Sequence, residues 1–357
     1  MPIIDADCHV IEAEHTWSYF DESEARHRPL TLTSTDGRRY LSIDGRLRGA
    51  AAVEDPTERH APGRLQAREQ MAGFTETTEG MRTLKDVEGR LRHMDELGVD
   101  VQVLYPTTMA LGQITTRPDV HVAMCRSYNR WLADVWSQSG GRLRWIAAPP
   151  VLDMDEALEQ VRWSVDHGAC GVMIRGLEGD RVVSDPYFFP LYEDAERLNV
   201  PMCVHAGNAN AAYTSLIAGS AWSSAKVPVL SAFHHVLYAG LPDRFSRLRW
   251  GFIEAAAGWL PYMITDLTRR LVRDGRTPMK PRPLADNRLY VACQTNDDLP
   301  YIIQCVGEDN LVIGSDYGHS DTSSELEALR TLENESDLPA HVVRKILEDN
   351  PKALYGL

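Results

Sequence analysis

The chain has 357 residues, 43% of them hydrophobic and 25% charged, with a formal net charge of −14. That length can bury a sizeable core without disulfides or structural zinc, and the surplus of acid excludes a phosphate-backbone binder, which needs a basic face. No run approaches the ~18 continuous apolar residues of a membrane-spanning helix, and the six cysteines are scattered without CxxC spacing, as reduced, mostly buried thiols are.

The N-terminus, MPIIDADCHV, has no basic region followed by an apolar stretch. No signal peptide is therefore expected, and the cytoplasm is the expected location. The first strand-like run is Pro2 to His9. Residues 20–83 then break the pattern. Leu30 to Arg48 reads as a β-hairpin around Asp36-Gly37, and Gly63 to Glu79 as loop or irregular helix. This stretch is expected to be an insertion over the barrel mouth, a lid within a single domain spanning residues 1–357.

From Leu84 onward strands and helices alternate. The strand-like runs are Val99 to Tyr105, Leu143 to Ala148, Gly171 to Arg175, Pro201 to His205, Leu248 to Glu254, Arg288 to Cys293 and Asn310 to Ser315. Their length and β-branched content suit buried parallel strands. Leu84 to Leu97, stopped by Gly98, Asp153 to His167 and Asp185 to Leu198 read as helices. Eight strands with helical crossovers predict an α/β fold, a (β/α)8 TIM-like barrel with the hairpin inserted after the first strand. A doubly wound open sheet is the alternative, weakened by the lack of a GxGxxG after the first strand.

In a barrel, chemistry collects at the C-terminal ends of the strands. The first strand ends Asp5-Ala6-Asp7-Cys8-His9, the fifth at His205, the sixth at Glu254, and the eighth runs into Asp316. Asp7 and His9, two apart on a strand, share a face and can grip one ion, while alternation sends Cys8 into packing. Oxygen and nitrogen donors of this kind suit zinc, manganese or iron. Singly, each residue has a blander reading as a hydrogen-bonded histidine or a helix cap. Their coincidence at four strand ends favours a site.

His319 lies on the same rim and is a candidate catalytic or orienting group, or a helix cap. Arg175 could meet a substrate carboxylate or pair with Glu254 or Asp316. Asn208 and His60 are further candidates for substrate binding. His234 and His235 suit packing roles, and Asp297 and Asp298 suit the N-cap of the helix after the seventh strand.

The opening IDADCHVIE resembles the first strand of the amidohydrolase superfamily, in its aminocarboxymuconate-semialdehyde-decarboxylase-like branch. HAG at His205, FIEAAAGWLP at Glu254, LVIGSDYGHSD around Asp316 and the closing ILEDNPKALYGL are similar to that branch's later segments, in the same order. The resemblance implies one divalent metal bound by Asp7, His9, His205 and Asp316. The branch commonly has HxH in the first strand; Asp7 in its place favours manganese or magnesium over zinc. Where the branch's decarboxylases carry a catalytic histidine after the sixth strand, this chain has Glu254, which could ligate the metal or act as a base.

The leading expectation is hydrolysis of a C–N or ester-type bond of a small molecule, with Asp316 or Glu254 accepting the proton of metal-activated water. Non-oxidative decarboxylation of an aromatic or enoic acid, or hydration, is the alternative, and a binding protein without turnover the least favoured. The expected partner is a small molecule, with neither nucleic acid nor membrane. Trp17, Tyr19 and Phe20 could form a homo-oligomer contact or cap the barrel.

Overall fold

The computed structural model describes residues 2–33, 35, 39–49, 76–217, 220–320 and 322–357. β1 (Ile4–Val10) opens the chain. β2 (Leu30–Thr33), β3 (Arg39–Ile43) and β4 (Arg46–Gly49) follow as a separate antiparallel sheet. Then come β5 (Val101–Pro106), β6 (Leu143–Ala147), β7 (Ala169–Arg175) and a short antiparallel pair, β8 (Leu177–Glu178) with β9 (Arg181–Val182). β10 (Met202–His205), β11 (Trp250–Phe252), β12 (Leu289–Cys293) and β13 (Leu311–Ile313) complete the strands.

The main sheet has eight strands in the order β1-β5-β6-β7-β10-β11-β12-β13, and the strand pairings along it are parallel. A parallel bridge between Cys8 and Tyr317 brings the last strand back to the first. That closure makes the sheet a (β/α)8 barrel and removes the open-sheet alternative.

Two apolar layers follow from strand alternation. One residue parity of the strands (Val103, Ile146, Cys203, Ile253, Ala292 and Val312) packs in the barrel interior, with Leu354 and Tyr355 of the C-terminal helix. The other parity (Leu104, Ala147, Val204, Phe252, Val291 and Ile313) packs against the surrounding helices. Those helices stop and start on local chemistry. Asp86 accepts from Gly89 N at the head of Val87–Leu97, and Gly98, at φ 73°, ends it. Asp153 caps Met154–Asp166 in the same way.

The insertion differs from its expected form. The sequence reading gives a two-stranded hairpin; the structure has three strands, because Asp44-Gly45 makes a second turn, with both residues at positive φ (50° and 71°). The Asp36-Gly37 turn, and His60 with it, lie outside the described residues. Leu41 and Ile43 are buried, and Asp44 accepts from Thr115 Oγ1 (2.8 Å) and Arg117 Nη1 (3.1 Å), fastening the sheet to the segment after β5.

Trp17 and Phe20 are buried in the chain's own outer layer, and Tyr19 donates to Asp134 on the helix Pro118–Gln138. Trp17 and Phe20 thus pack within the chain's own outer layer. All six cysteines are free thiols, and only Cys305 is exposed. Among the described residues no helix is long and apolar enough to cross a membrane.

Candidate metal centre and active site

The site begins with a fault in β1. Asp5 pairs with Gln102 and Cys8 with Leu104, so the register slips by one residue between them. Ile4 and Ala6 belong to the interior layer, whereas Cys8 and Val10 belong to the outer one. Plain alternation would put Asp5, Asp7 and His9 on one face. The bulge separates them, as bulges beside active sites do. Asp7 and His9 turn into the barrel, and Asp5 turns out, where it accepts from Ser315 N (2.8 Å) and Ser315 Oγ (2.5 Å). Burial raises the Asp5 carboxyl above its usual range, and the bonds from Ser315 oppose that rise.

The other donors arrive by parity. His205 follows the inward Cys203 by two residues, and Asp316 follows the inward Val312 by four. Asp316 (φ 53°) and Glu254 (φ 59°) both have left-handed backbones, a conformation that costs a non-glycine residue about 1–2 kcal/mol. Neighbours hold them there. Asp316 N donates to Asp7 O (2.9 Å), and Ser324 Oγ donates to Asp316 Oδ2 (2.7 Å). Beyond Glu254, Ala257 N and Gly258 N donate to the Asp297 carboxylate (2.9 and 3.0 Å). Asp297 is thus the clamp of the Glu254 loop and not a helix cap; Asp298 alone caps the helix Leu299–Val306.

These groups converge. His205 Nε2 lies 3.5 Å from Asp7 Oδ1 and 3.1 Å from Glu254 Oε2. His9 Nε2 lies 3.7 Å from Asp7 Oδ1, 3.6 Å from Glu254 Oε2 and 3.4 Å from Asp316 Oδ1. Two overlapping ligand groups result, Asp7-His9-His205-Glu254 and His9-Glu254-Asp316-His319, each with its donor atoms within 4.8 Å of one another. The four residues implied by the resemblance are divided between the two groups: Asp7, His9 and His205 share one, and Asp316 sits with His9 in the other, while Glu254 joins both.

Local bonding suits these donors to a cation. His205 Nδ1 sits 3.0 Å from Ala206 O, which makes Nδ1 the protonated nitrogen and leaves the Nε2 lone pair aimed at two carboxylates. Asp7 Oδ1, His9 Nε2, His205 Nε2 and Asp316 Oδ1 are buried, and none completes a hydrogen bond of normal geometry. Acceptors converging without donors in a buried pocket need a proton or a metal ion between them. Burial, reinforced by His319 and His205, holds His9 well below the ordinary histidine range, hence neutral. Burial alone would lower His205 as well, but Glu254 and Asp7 outweigh it and raise that imidazole to about 9. Oxygen and nitrogen donors in this mixture fit a divalent ion of the manganese or zinc kind.

His319 stacks on His9 (centroids 3.7 Å, 22°), faces Asp316 Oδ1 through Nδ1 at 2.9 Å and meets Thr107 Oγ1 through Nε2 at 2.9 Å. Thr107, absent from the sequence reading, donates to Val10 O (2.8 Å), so its oxygen is left to accept from His319. Tyr105 was also missed. Its ring stacks on His205 (4.8 Å, 29°), and its hydroxyl meets Tyr355 OH of the C-terminal helix at 2.9 Å. As a strand residue of inward parity it could have been found.

The expected substrate contacts fare differently. Arg175 is buried with Glu178, donating to both its carboxylate oxygens (2.8 and 2.7 Å), and its Nη1 holds Met109 O and Gly112 O. It meets neither Glu254 nor Asp316, and its guanidinium is engaged in fixing the loop after β5. Asn208 bonds Ser224 O, Asn210 N and Thr214 Oγ1, which shapes the loop after His205. His234 and His235 lie on the helix Val227–Tyr238; His234 stacks on Tyr238, and His235 meets Ser184.

A closed eight-stranded parallel barrel with carboxylates and imidazoles converging from its strand ends is the architecture of metal-dependent barrel enzymes. The amidohydrolase family pattern matches residues 4–357, and the chain belongs to that family, in its branch with the decarboxylases. It is 24% identical over 259 residues to the gamma-resorcylate decarboxylase of Polaromonas sp. strain JS666, a match covering 66% of this chain and 78% of that protein. Further gamma-resorcylate decarboxylases are matched over 61% and 46% of their length.

Among solved structures, an amidohydrolase from Mycobacterium avium subsp. paratuberculosis K-10 superposes with a TM-score of 0.77, at 19% identity and 99% coverage of both chains. The 5-carboxyvanillate decarboxylase of Novosphingobium aromaticivorans, solved with manganese and 4-hydroxy-3-methoxy-5-nitrobenzoic acid, gives 0.70 at 16% identity, covering 100% of this chain and 96% of that one.

Proposed function

We propose that the protein is a metal-dependent, non-oxidative decarboxylase of a small hydroxybenzoate-type acid, with hydrolysis as the weaker reading. The observation that carries this is the match to gamma-resorcylate decarboxylases over most of the chain. It favours carbon dioxide release over the hydrolysis first expected from the sequence. Asp7, His9 and His205 would hold the ion, with Asp316, as the resemblance implies, and Glu254, as the geometry adds, reaching the same centre. A divalent cation held there would supply positive charge to an anionic substrate.

The chain's own residues handle the proton. Asp316, with Ser324 Oγ donating to Oδ2 and His319 Nδ1 facing Oδ1, would leave the ion to Asp7, His9, His205 and Glu254 when it takes the proton at Oδ1 and passes it to the ring carbon that bears the carboxylate. The carbon–carbon bond then breaks, its electron pair restores the ring, and carbon dioxide leaves. His319, oriented by Thr107 and stacked on His9, returns a solvent proton to Asp316. The three-stranded insertion is proposed to cover the mouth and exclude water.

The test is carbon dioxide release from a panel of ortho-hydroxybenzoates with manganese present, run beside amides and esters. Release from at least one acid is expected. Asp316→Asn should lower it by about 100-fold or more with the fold retained. Amide or ester cleavage with no release from any acid overturns the reading. Metal content of Glu254→Gln separates its two roles: loss marks a ligand, and retention with lost turnover marks a group acting on substrate.

A further inference from the structure

The centre contains Asp7, Glu254 and Asp316, and an acidic substrate adds more negative charge to them. Arg175, the cation expected to meet it, is engaged with Glu178. Another cation, Lys226, is tied to the loops that follow two of the candidate ligands. Trp222–Lys226 is a π-helical turn that runs directly into the helix Val227–Tyr238, and this helix follows β10, whose end carries His205. Its start is therefore on the face where the strand ends collect, and π-turns recur at functional sites.

Two bonds pin the turn to the residues after His205: Gly207 N donates to Ala225 O (3.0 Å) and Asn208 Nδ2 donates to Ser224 O (2.6 Å). From the turn, Lys226 Nζ reaches across to Ser323 Oγ at 2.7 Å. Ser323 is the neighbour of Ser324, whose hydroxyl is bonded to Asp316. Lys226 thus bridges the loop of one candidate ligand, His205, and the loop of another, Asp316. Among the described residues it forms no ion pair, and this hydroxyl is its hydrogen-bonding partner. An ammonium has three donors. With one on Ser323, two remain for a ligand.

We propose that Lys226 is the substrate-anion contact of this site, holding a carboxylate or phenolate oxygen of a small acid while Ser323 sets its direction. This rests on the decarboxylase reading for the substrate class. A lysine suits the task as a compact charge that accepts either oxygen type without bidentate geometry. It also discriminates, because a carboxylate gains a charge pairing that a neutral amide or ester lacks.

The experiment measures calorimetric binding of 2,6-dihydroxybenzoate, with resorcinol as its uncharged control, to the manganese-loaded protein and to Lys226→Met, Lys226→Arg and Ser323→Ala. Lys226→Met is expected to weaken 2,6-dihydroxybenzoate by about tenfold or more, the scale of a lost charge-assisted contact, and to leave resorcinol unchanged. Lys226→Arg and Ser323→Ala, which keep a cation, should stay within about threefold, and manganese content should be unaltered throughout.

Equal binding of the acid by wild type and Lys226→Met overturns the inference. So does a loss in Ser323→Ala as large as in Lys226→Met, or a loss of manganese, because either marks a staple between loops. The decarboxylase reading is judged apart, by carbon dioxide release. Lys226-dependent binding without release from any acid sinks that reading and keeps the anion contact. Absence of 2,6-dihydroxybenzoate binding to the wild type removes the contact itself.

Discussion

His205 shows how one hydrogen bond decides a residue's chemistry. With Nδ1 committed to Ala206 O, only Nε2 is left to take up a proton or a metal ion. In the ion-free protein its pKa is raised to about 9 by Glu254 and Asp7 against the pull of burial, while an unfolded histidine titrates near ~6.5. A group raised on folding stabilises the folded state fully below its unfolded pKa and loses that contribution as pH rises through its folded value. The metal-free protein should therefore lose thermal stability between about pH 6.5 and 9, and saturating manganese should flatten that slope, since the ion replaces the proton. Unfolding scans with and without the ion check this. A metal-free slope of the opposite sign would overturn it. His9, held well below the ordinary histidine range by burial, has no proton to give up in this window.

Among the elements, the seam between β13 and β1 matters most, because it carries candidate ligands on both sides: Asp7 and His9 on one, Asp316 and His319 on the other. Its closeness depends on Gly314. A Cβ there would lie 2.3 Å from Asp7 Cβ and 2.7 Å from Asp7 N, a clash with backbone that no flexible side chain can relieve. The bonds from Asp316 N to Asp7 O and from His9 N to Tyr317 O cross at the same level. Gly314→Ala should cost about 3 kcal/mol or more, at the upper end of overpacking, and weaken manganese binding by parting the ligands. Denaturant titration and metal analysis of that variant test it; a stable, fully loaded Gly314→Ala would show that the seam has slack. Outside the seam, Gln102 donates to Asp5 and accepts from the buried Arg90, whose guanidinium lies 3.4 Å above the Tyr317 ring. Here the outward Asp5 joins the barrel wall to its first helix.

For the whole molecule, the ion is expected to act as ligand and as fastener. Its proposed donors would come from β1, the end of β10 and the loops after β11 and β13, so an ion bound only by the native fold would stabilise all of it. At a hundred times its dissociation constant that amounts to about 2.7 kcal/mol. Chelator treatment should lower the unfolding temperature, and added manganese should restore it. An unchanged midpoint would show that the barrel closes without help from the metal. The interior layer makes partial closure credible, because Tyr355 OH also donates to Ala6 O (2.7 Å) and ties the chain's end to its first strand.

The sequence by itself determined the barrel and the rim, because both rest on local periodicity. Apolar runs alternating with amphipathic stretches specify strands and crossovers, and the polar residues at strand ends follow from where those runs stop. Asp7, His9, His205 and Asp316 were legible for that reason, as was the outward turn of Cys8. Tertiary structure decided what depends on partners far along the chain. The β1 bulge that parts Asp5 from Asp7 is a register relation with β5. Arg175 was taken by Glu178 and two carbonyls after β5, and Asp297 clasped the Glu254 loop across 40 residues. Glu254 joined the ligand groups because a left-handed backbone turned it inward, and Lys226 met Ser323 across 97 residues. Spacing along the chain encodes which face a side chain takes, but which partner waits there is set by closure of the barrel.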